Sequence, residues 1–163
     1  MQITLTLLGT ILFISNTCLA EILQGRVVSI ADGDTLTVLD SSHKQHKIRL
    51  AGIDAPEKGQ PFGKASKRSL SELAQDQNVI VEWDKRDRYG RIIGKVLADG
   101  LDVDLEQVRR GLAWWYKKYA DEQSPDDRDT YEIAEDEARS ARRGLWSEQN
   151  TVPPWEWRHM MHD

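Results

Sequence analysis

A succession of short alternating segments, each closed by a tight-turn signal, constrains this chain more than any other feature. In Thr35-Leu36-Thr37-Val38-Leu39, and again in His46-Lys47-Ile48-Arg49-Leu50, apolar and polar residues alternate with the two-residue period of a half-buried strand. Asp32-Gly33 before the first segment and Asp40-Ser41-Ser42 after it are turn chemistry. Ile22 to Ile30 also has β character, although Val27, Val28 and Ile30 break strict alternation. Three antiparallel strands follow from this pattern.

Pro56 and Pro61 bound a loop, after which Gly63 to Ala74 switches to helical spacing through Ala65, Leu70, Leu73 and Ala74. Val79-Ile80-Val81 with Trp83 predicts a fourth strand and Ile92 to Leu97 a fifth, joined by the polar, basic run Asp84 to Gly90. Asp104 is placed to cap a short helix that runs through Val108 and stops at Gly111. Asp126 to Arg143 predicts a last helix, with Tyr131, Ala134, Ala138 and Ala141 on one face and Gly144 as its stop. Five short strands interrupted by one helix, with helices after them, predict a mainly β single domain. Its architecture is a five-stranded barrel of the oligonucleotide/oligosaccharide-binding (OB) type with three helices. The domain is expected over 21–150. Residues 151–163, rich in proline and tryptophan, are expected as a tail packed back against the last helix. Core and tail packing accounts for the six tryptophans, the alternative for one of Trp114, Trp115 and Tyr116 being a stacking platform for bases.

Residues 1–20 carry no charged side chain and form an apolar block ending in Cys18-Leu19-Ala20, which reads as a secretory signal peptide cleaved before Glu21. A membrane anchor or a lipid attached at Cys18 are the alternatives. Export to the periplasm or the medium is the expectation. Cys18 is the single cysteine, so the mature chain would have neither a disulfide nor a thiolate metal site. The formal charge is −5, but it is unevenly spread. Residues 21–120 hold 17 Lys and Arg against 15 Asp and Glu, while 121–163 hold 5 against 12. Lys85, Arg86, Arg88 and Arg91 form one basic run and Lys64, Lys67 and Arg68 another. A polyanion can therefore be met locally, whereas the charge distribution does not support tight, non-specific binding through a broad basic face.

Chemistry-bearing residues fall at the strand ends and turns. Asp34 ends the turn Asp32-Gly33-Asp34, and Asp54 and Glu57 lie in Ile53-Asp54-Ala55-Pro56-Glu57, where the spacing lets one carboxylate bind a metal while the other faces a water. Asp34 and Asp54 follow strands expected to be neighbours, so they can meet across one mouth. Arg49 shares a strand face with Lys47, opposite Ile48 and Leu50. Arg91 leaves the tight turn Tyr89-Gly90, where its guanidinium could be aimed at a phosphate. Taken alone, Asp34 reads as a capped turn and Arg49 as a solvated strand face. Together, two arginines answering two phosphate oxygens suit a reaction in which negative charge grows on those oxygens.

Asp32-Gly33-Asp34-Thr35, Ile48-Arg49-Leu50, Ile53-Asp54-Ala55-Pro56-Glu57, Tyr89-Gly90-Arg91 and Val108-Arg109-Arg110-Gly111-Leu112-Ala113 resemble, in order and spacing, the staphylococcal nuclease (thermonuclease) family. The resemblance runs from about Val27 to Trp146. It implies the OB barrel with three helices and Ca²⁺-dependent endonucleolytic hydrolysis of DNA and RNA, single-stranded or unwound, leaving 3′-phosphate ends. It further implies that Asp34, Asp54 and the backbone carbonyl of Ala55, which stands where the family has threonine, bind Ca²⁺. Glu57 would act on the attacking water, Arg49 and Arg91 would clamp the scissile phosphate, and Arg88 and Tyr89 would touch a neighbouring one. The family's nucleotide-facing tyrosines correspond to Tyr116 or Tyr119. A monomer that does not engage a membrane after signal cleavage is expected. The same barrel can also hold single-stranded nucleic acid without cutting it, and the tail could serve as a partner epitope. All five catalytic-type positions are filled, which favours the enzyme.

Overall fold

The computed structural model describes residues 20–161. Strands β1 (Glu21–Ile30), β2 (Thr35–Asp40) and β3 (Gln45–Leu50) form an antiparallel meander, with Val27 opposite Val38 and Leu36 opposite Ile48. The irregular Val27-Val28 pattern is explained by a register shift between Val27 and Ser29, a bulge that bends β1 and keeps Val27 and Ile30 in the core. After the two-residue strand β4 (Ile53–Asp54) and helix α1 (Gly63–Ala74), β5 (Asn78–Arg86) returns along the other edge of β1 and pairs with β6 (Ile92–Ala98). β6 then runs parallel to β3, Ile48 facing Ile92 and Leu50 facing Gly94, which closes the five long strands into a barrel. Closure removes the exposed edges that an open sheet of this size would present.

The interior takes one side chain in two from each strand. Val27, Leu36, Val38, Ile48, Val81 and Val96 are wholly buried, joined by Leu70 of α1 and Val103 and Val108 of α2 (Val103–Arg109). Burial of each such side chain is worth about 1.5–3 kcal/mol, so the barrel and its helices share one core. The strand β7 (Leu101–Asp102) turns back to pair antiparallel with the end of β6, and β8 (Trp114–Trp115) pairs with β4. A 3₁₀ segment (Lys117–Glu122) leads into α3 (Pro125–Ser140), a second 3₁₀ turn (Gly144–Ser147) follows, and α4 (Pro154–Met160) completes the described chain. No helix among the described residues is long and apolar enough to cross a membrane.

The mainly β barrel with helices in a single domain is as the strand pattern requires, with four differences of detail. Asp102, not Asp104, caps α2, its Oδ1 accepting the Leu105 N–H at 2.9 Å. Asp104 is instead fully buried and accepts the backbone N–H groups of Ala51 (2.9 Å) and Val96 (3.2 Å), tying α2 to the barrel. Helix α3 starts one residue earlier, at Pro125 behind the Ser124 cap, and ends at Ser140, so Ala141 is exposed while Tyr131, Ala134 and Ala138 are buried. Strands β1 and β3 are not neighbours but flank β2. The Pro/Trp-rich segment contains a fourth helix, and its Trp155 packs with Trp114 and Trp146 against Ala138 of α3. The leader, including Cys18, lies outside the described residues apart from Ala20.

Candidate active site

One mouth of the barrel holds a cleft of about 750 Å³. Asp34, Arg49, Ala55, Glu57, Arg88, Tyr89, Arg91, Tyr116 and Tyr119 line it, and Asp54 lies beneath, buried and bonded to Arg49. All the residues singled out from the sequence are thus brought together.

Asp34 is aimed by its turn. Asp32 Oδ1 accepts the Asp34 N–H at 3.2 Å, and the Ala31 N–H closes the loop onto the Thr35 carbonyl at 2.9 Å. From below, the buried Gln107 Nε2 donates to the Gly33 carbonyl at 2.7 Å. Gly33 cannot be enlarged, because a Cβ there would lie 1.9 Å from Ser66 Oγ. The Leu50 N–H donates to the Asp34 carbonyl at 2.9 Å, which ties this turn to the end of β3. That connection puts Arg49 against both aspartates: its Nη2 lies 2.8 Å from Asp54 Oδ1 and 3.2 Å from Asp34 Oδ2. Nη1 donates to the Leu50 carbonyl at 2.9 Å. Burial by itself would lower the Arg49 pKa, but the charges of Asp34 and Asp54 outweigh it and raise the net value. Burial raises the Asp54 pKa despite the opposing pull of Arg158 and Arg49. Asp32, partly buried and facing Asp34, is pushed up to about 6.

Glu57 sits on the rim. Its N–H donates to Gln60 Oε1 at 3.0 Å, and the Gln60 N–H returns a bond to the Glu57 carbonyl at 2.9 Å, which fixes the loop after Pro56. Arg91 is steered by Asp87, whose Oδ2 accepts from Nε at 2.7 Å and whose Oδ1 accepts the backbone N–H at 2.9 Å. Burial works to raise the Asp87 pKa, yet the bonds from Arg91 bring it below the ordinary carboxylate value. Arg91 Nη1 points across to Thr35 Oγ1 at 3.4 Å, on the Asp34 side of the mouth. Tyr89 is exposed and carries Arg88 over its ring at 4.8 Å and Arg91 at 5.6 Å. Tyr116 stacks on Trp155 with centroids 5.1 Å apart and planes 2° from parallel, and Tyr119 meets Tyr116 edge-on at 4.9 Å. Burial and the Asp54 charge raise the Tyr116 pKa, so its phenol is neutral at physiological pH.

Among the described residues no group of three or more His, Cys, Asp or Glu side chains is placed to hold a metal together. The donor set at the mouth is a pair of carboxylates bridged by one guanidinium nitrogen. Asp34 Oδ2 and Asp54 Oδ1 lie 3.2 and 2.8 Å from that nitrogen, so the two carboxylates converge on one point. A hard cation that completes its shell with carbonyl and water oxygens fits these residues; a thiolate- or imidazole-seeking metal does not.

Sequence reasoning missed Arg158. Its Nη2 lies 2.8 Å from Asp54 Oδ2 and its Nη1 lies 2.7 Å from Glu57 Oε1, so it closes one side of the cleft. Burial would lower its pKa, but the bonds to Asp54 and Glu57 raise it. Its only sequence signal is a basic residue in a proline- and tryptophan-rich segment.

The fold and this cluster define an OB-type barrel whose mouth interleaves carboxylates with arginines. A family model described as "Staphylococcal nuclease homologue" matches residues 47–148. An uncharacterized endonuclease of Escherichia coli is 46% identical over 139 residues, covering 84% of this chain and 86% of its own length. An uncharacterized endonuclease of Haemophilus influenzae is 40% identical over 157 residues, covering 96% and 85%. A micrococcal nuclease of Shigella flexneri is 41% identical over 144 residues, covering 83% and 80%. The chain belongs to the staphylococcal nuclease family. Membership supports a nuclease, an enzyme that hydrolyses phosphodiester bonds and takes nucleic acid as its substrate.

Proposed function

We propose that this protein is an exported, monomeric, Ca²⁺-dependent endonuclease that cuts DNA and RNA, single-stranded or unwound, and leaves 3′-phosphate ends. The observation that carries this reading is the gathering of Asp34, Asp54 and Glu57 with Arg49 and Arg91 around one cleft. Asp34, Asp54 and the Ala55 carbonyl would hold Ca²⁺, whose chemistry when bound is Lewis acidity towards a phosphate oxygen. Glu57 orients a water, or takes its proton, for in-line attack on phosphorus. The new bond joins the water oxygen to phosphorus, and the bond that breaks joins phosphorus to the 5′ oxygen.

Arg49 and Arg91 neutralise the charge that grows on the non-bridging oxygens. One such donor is typically worth on the order of 3 kcal/mol in the transition state. Arg91 does not supply the leaving-group proton, since a guanidinium has a pKa above about 12; solvent water protonates the 5′ oxygen. Arg88 and Tyr89 hold the flanking phosphate, and Tyr116 and Tyr119 face the nucleotide. The apolar leader over residues 1–20 supports export to the periplasm or the medium.

The test is digestion of single-stranded DNA and of RNA by purified protein with Ca²⁺ and again after chelation, followed by analysis of the product ends. Internal cuts that need Ca²⁺ and leave phosphatase-sensitive 3′ ends are expected. Intact nucleic acid under both conditions would mean a binding module, and cutting that survives chelation would remove the metal requirement.

A further inference from the structure

Arg158 is not used by the hydrolysis just described, yet it pairs with two of the carboxylates that the reaction needs. Its guanidinium takes both oxygens of Asp54, at 2.8 and 3.3 Å, and reaches Glu57 Oε1 at 2.7 Å. Arg49 already holds Asp54 Oδ1. Both oxygens of a carboxylate needed for a cation are therefore covered by the protein's own positive charge. A carboxylate only 2% exposed requires such a partner, and the planar fork of arginine meets that requirement in two-toothed fashion.

We propose that Arg158 is a built-in competitor for the cation site, so that α4 acts as a latch that holds Asp54 and Glu57 until a divalent cation displaces it. This inference rests on the metal-dependent reading above. A guanidinium and a dication cannot share Asp54 Oδ2 without like-charge repulsion at contact distance. The two arginines also differ in freedom to leave. Arg49 belongs to a closed barrel strand and its side chain is 15% exposed, whereas Arg158 stands on a helix of only seven residues and its side chain is 40% exposed.

The mounting of α4 connects the latch to the rest of the site. Gln60 Nε2 donates to the Val152 carbonyl at 2.6 Å, while the same side chain's Oε1 accepts the Glu57 N–H. Trp155 lies flat on Tyr116, one of the tyrosines that face the nucleotide. Release of Arg158 is therefore felt at the Glu57 loop through Gln60 and at the nucleotide platform through Trp155.

The experiment is calorimetric titration of the full chain with Ca²⁺ in the absence of nucleic acid, on wild type, Arg158→Ala and Arg158→Gln. Melting temperatures in chelator and in Ca²⁺ are measured alongside. Removing the competing ion pairs should tighten Ca²⁺ binding about tenfold or more. Both variants should melt below wild type in chelator and gain more on Ca²⁺ addition. Arg158→Lys, which keeps the charge, should stay nearer to wild type and serves if the smaller side chains compromise folding. Unchanged or weaker Ca²⁺ affinity in the charge-removing variants, with Ca²⁺-dependent cutting intact, would overturn the latch and leave the nuclease reading standing. Absence of Ca²⁺ binding and of Ca²⁺-dependent cutting in wild type and variants alike would remove both.

Discussion

Replacing Arg49 by alanine removes the one side chain that bridges the two buried aspartates. Its Nη2 is shared between Asp54, 2.8 Å away and 2% exposed, and Asp34, 3.2 Å away and 9% exposed. Taking one partner from a buried ion pair costs about 3–5 kcal/mol, mostly because the remaining charge is stranded. Arg158 still pairs with Asp54 in this variant, so the lower end, about 3 kcal/mol, is expected in chelator. Ca²⁺ neutralises the same pair and should restore part of that loss. Turnover should not recover with it, because one missing electrostatic donor costs about 10²–10³ in rate. Arg49→Lys keeps the charge on a single point that cannot span both carboxylates, and it should regain more stability than activity. Urea midpoints with and without Ca²⁺, and initial rates of single-stranded DNA cleavage, measure the two effects separately. Near-normal turnover in folded Arg49→Ala would show that Arg49 does not stabilise the transition state, and a stability loss below about 0.5 kcal/mol would show that it does not offset the buried aspartates.

Three further perturbations separate positioning from packing. Gly63→Ala would put a methyl 2.0 Å from the Glu57 carbonyl oxygen, and forced displacement of this kind costs about 1–3 kcal/mol; kcat should fall about tenfold or more although no reacting group has changed, and wild-type kinetics would show that the Glu57 loop is not held by α1. Burial raises the Glu135 pKa above its ordinary 4.5, only partly offset by Arg139, Lys117 and the Trp115 N–H. The native state then binds the proton more tightly than the unfolded chain, so this group's contribution is full below about pH 4.5 and is lost as pH rises through the folded value. Glu135→Gln should therefore gain on wild type from about pH 5 upwards, and parallel urea midpoints between pH 4.5 and 7.5 would refute the assignment. Trp155 is only partly buried, so Trp155→Ala should cost less than the about 3–5 kcal/mol of a core tryptophan, through its contacts with Trp114 and Tyr116, and an unchanged melting temperature would mean that α4 is not anchored there.

Much of the site was legible because its residues lie at the ends of elements with clear local patterns. Leu36 and Ile48 announce their strands by alternation, and Asp34 and Arg49 follow as the residues next to a turn and on the polar face. Even the broken alternation at Val27-Val28 carried information, since it marks the bulge in β1. Local chemistry does not choose the cap of α2, because Asp102 and Asp104 are equally good capping residues. Only the backbone N–H groups of Ala51 and Val96, 53 and 8 residues from Asp104, decide which of them turns inward. The end of α3 was overrun for a related reason: Ala141 fits an apolar face, but nothing packs over it.

The sequence by itself determined the five long strands, the turn that aims Asp34, the loop that carries Asp54 and Glu57, and membership of a nuclease family. Each of these is written in residues close together along the chain, where period and turn chemistry act. The tertiary structure alone decided that one guanidinium would bridge Asp34 and Asp54, and that Arg158 would reach Glu57 and Asp54 from 101 and 104 residues away. Those contacts exist because the β3–β6 pairing closes the barrel and a tryptophan-anchored helix docks at its mouth. No local pattern encodes the cost of leaving a buried carboxylate unpaired; the closed fold creates that cost, and Arg158 lies where it can be met.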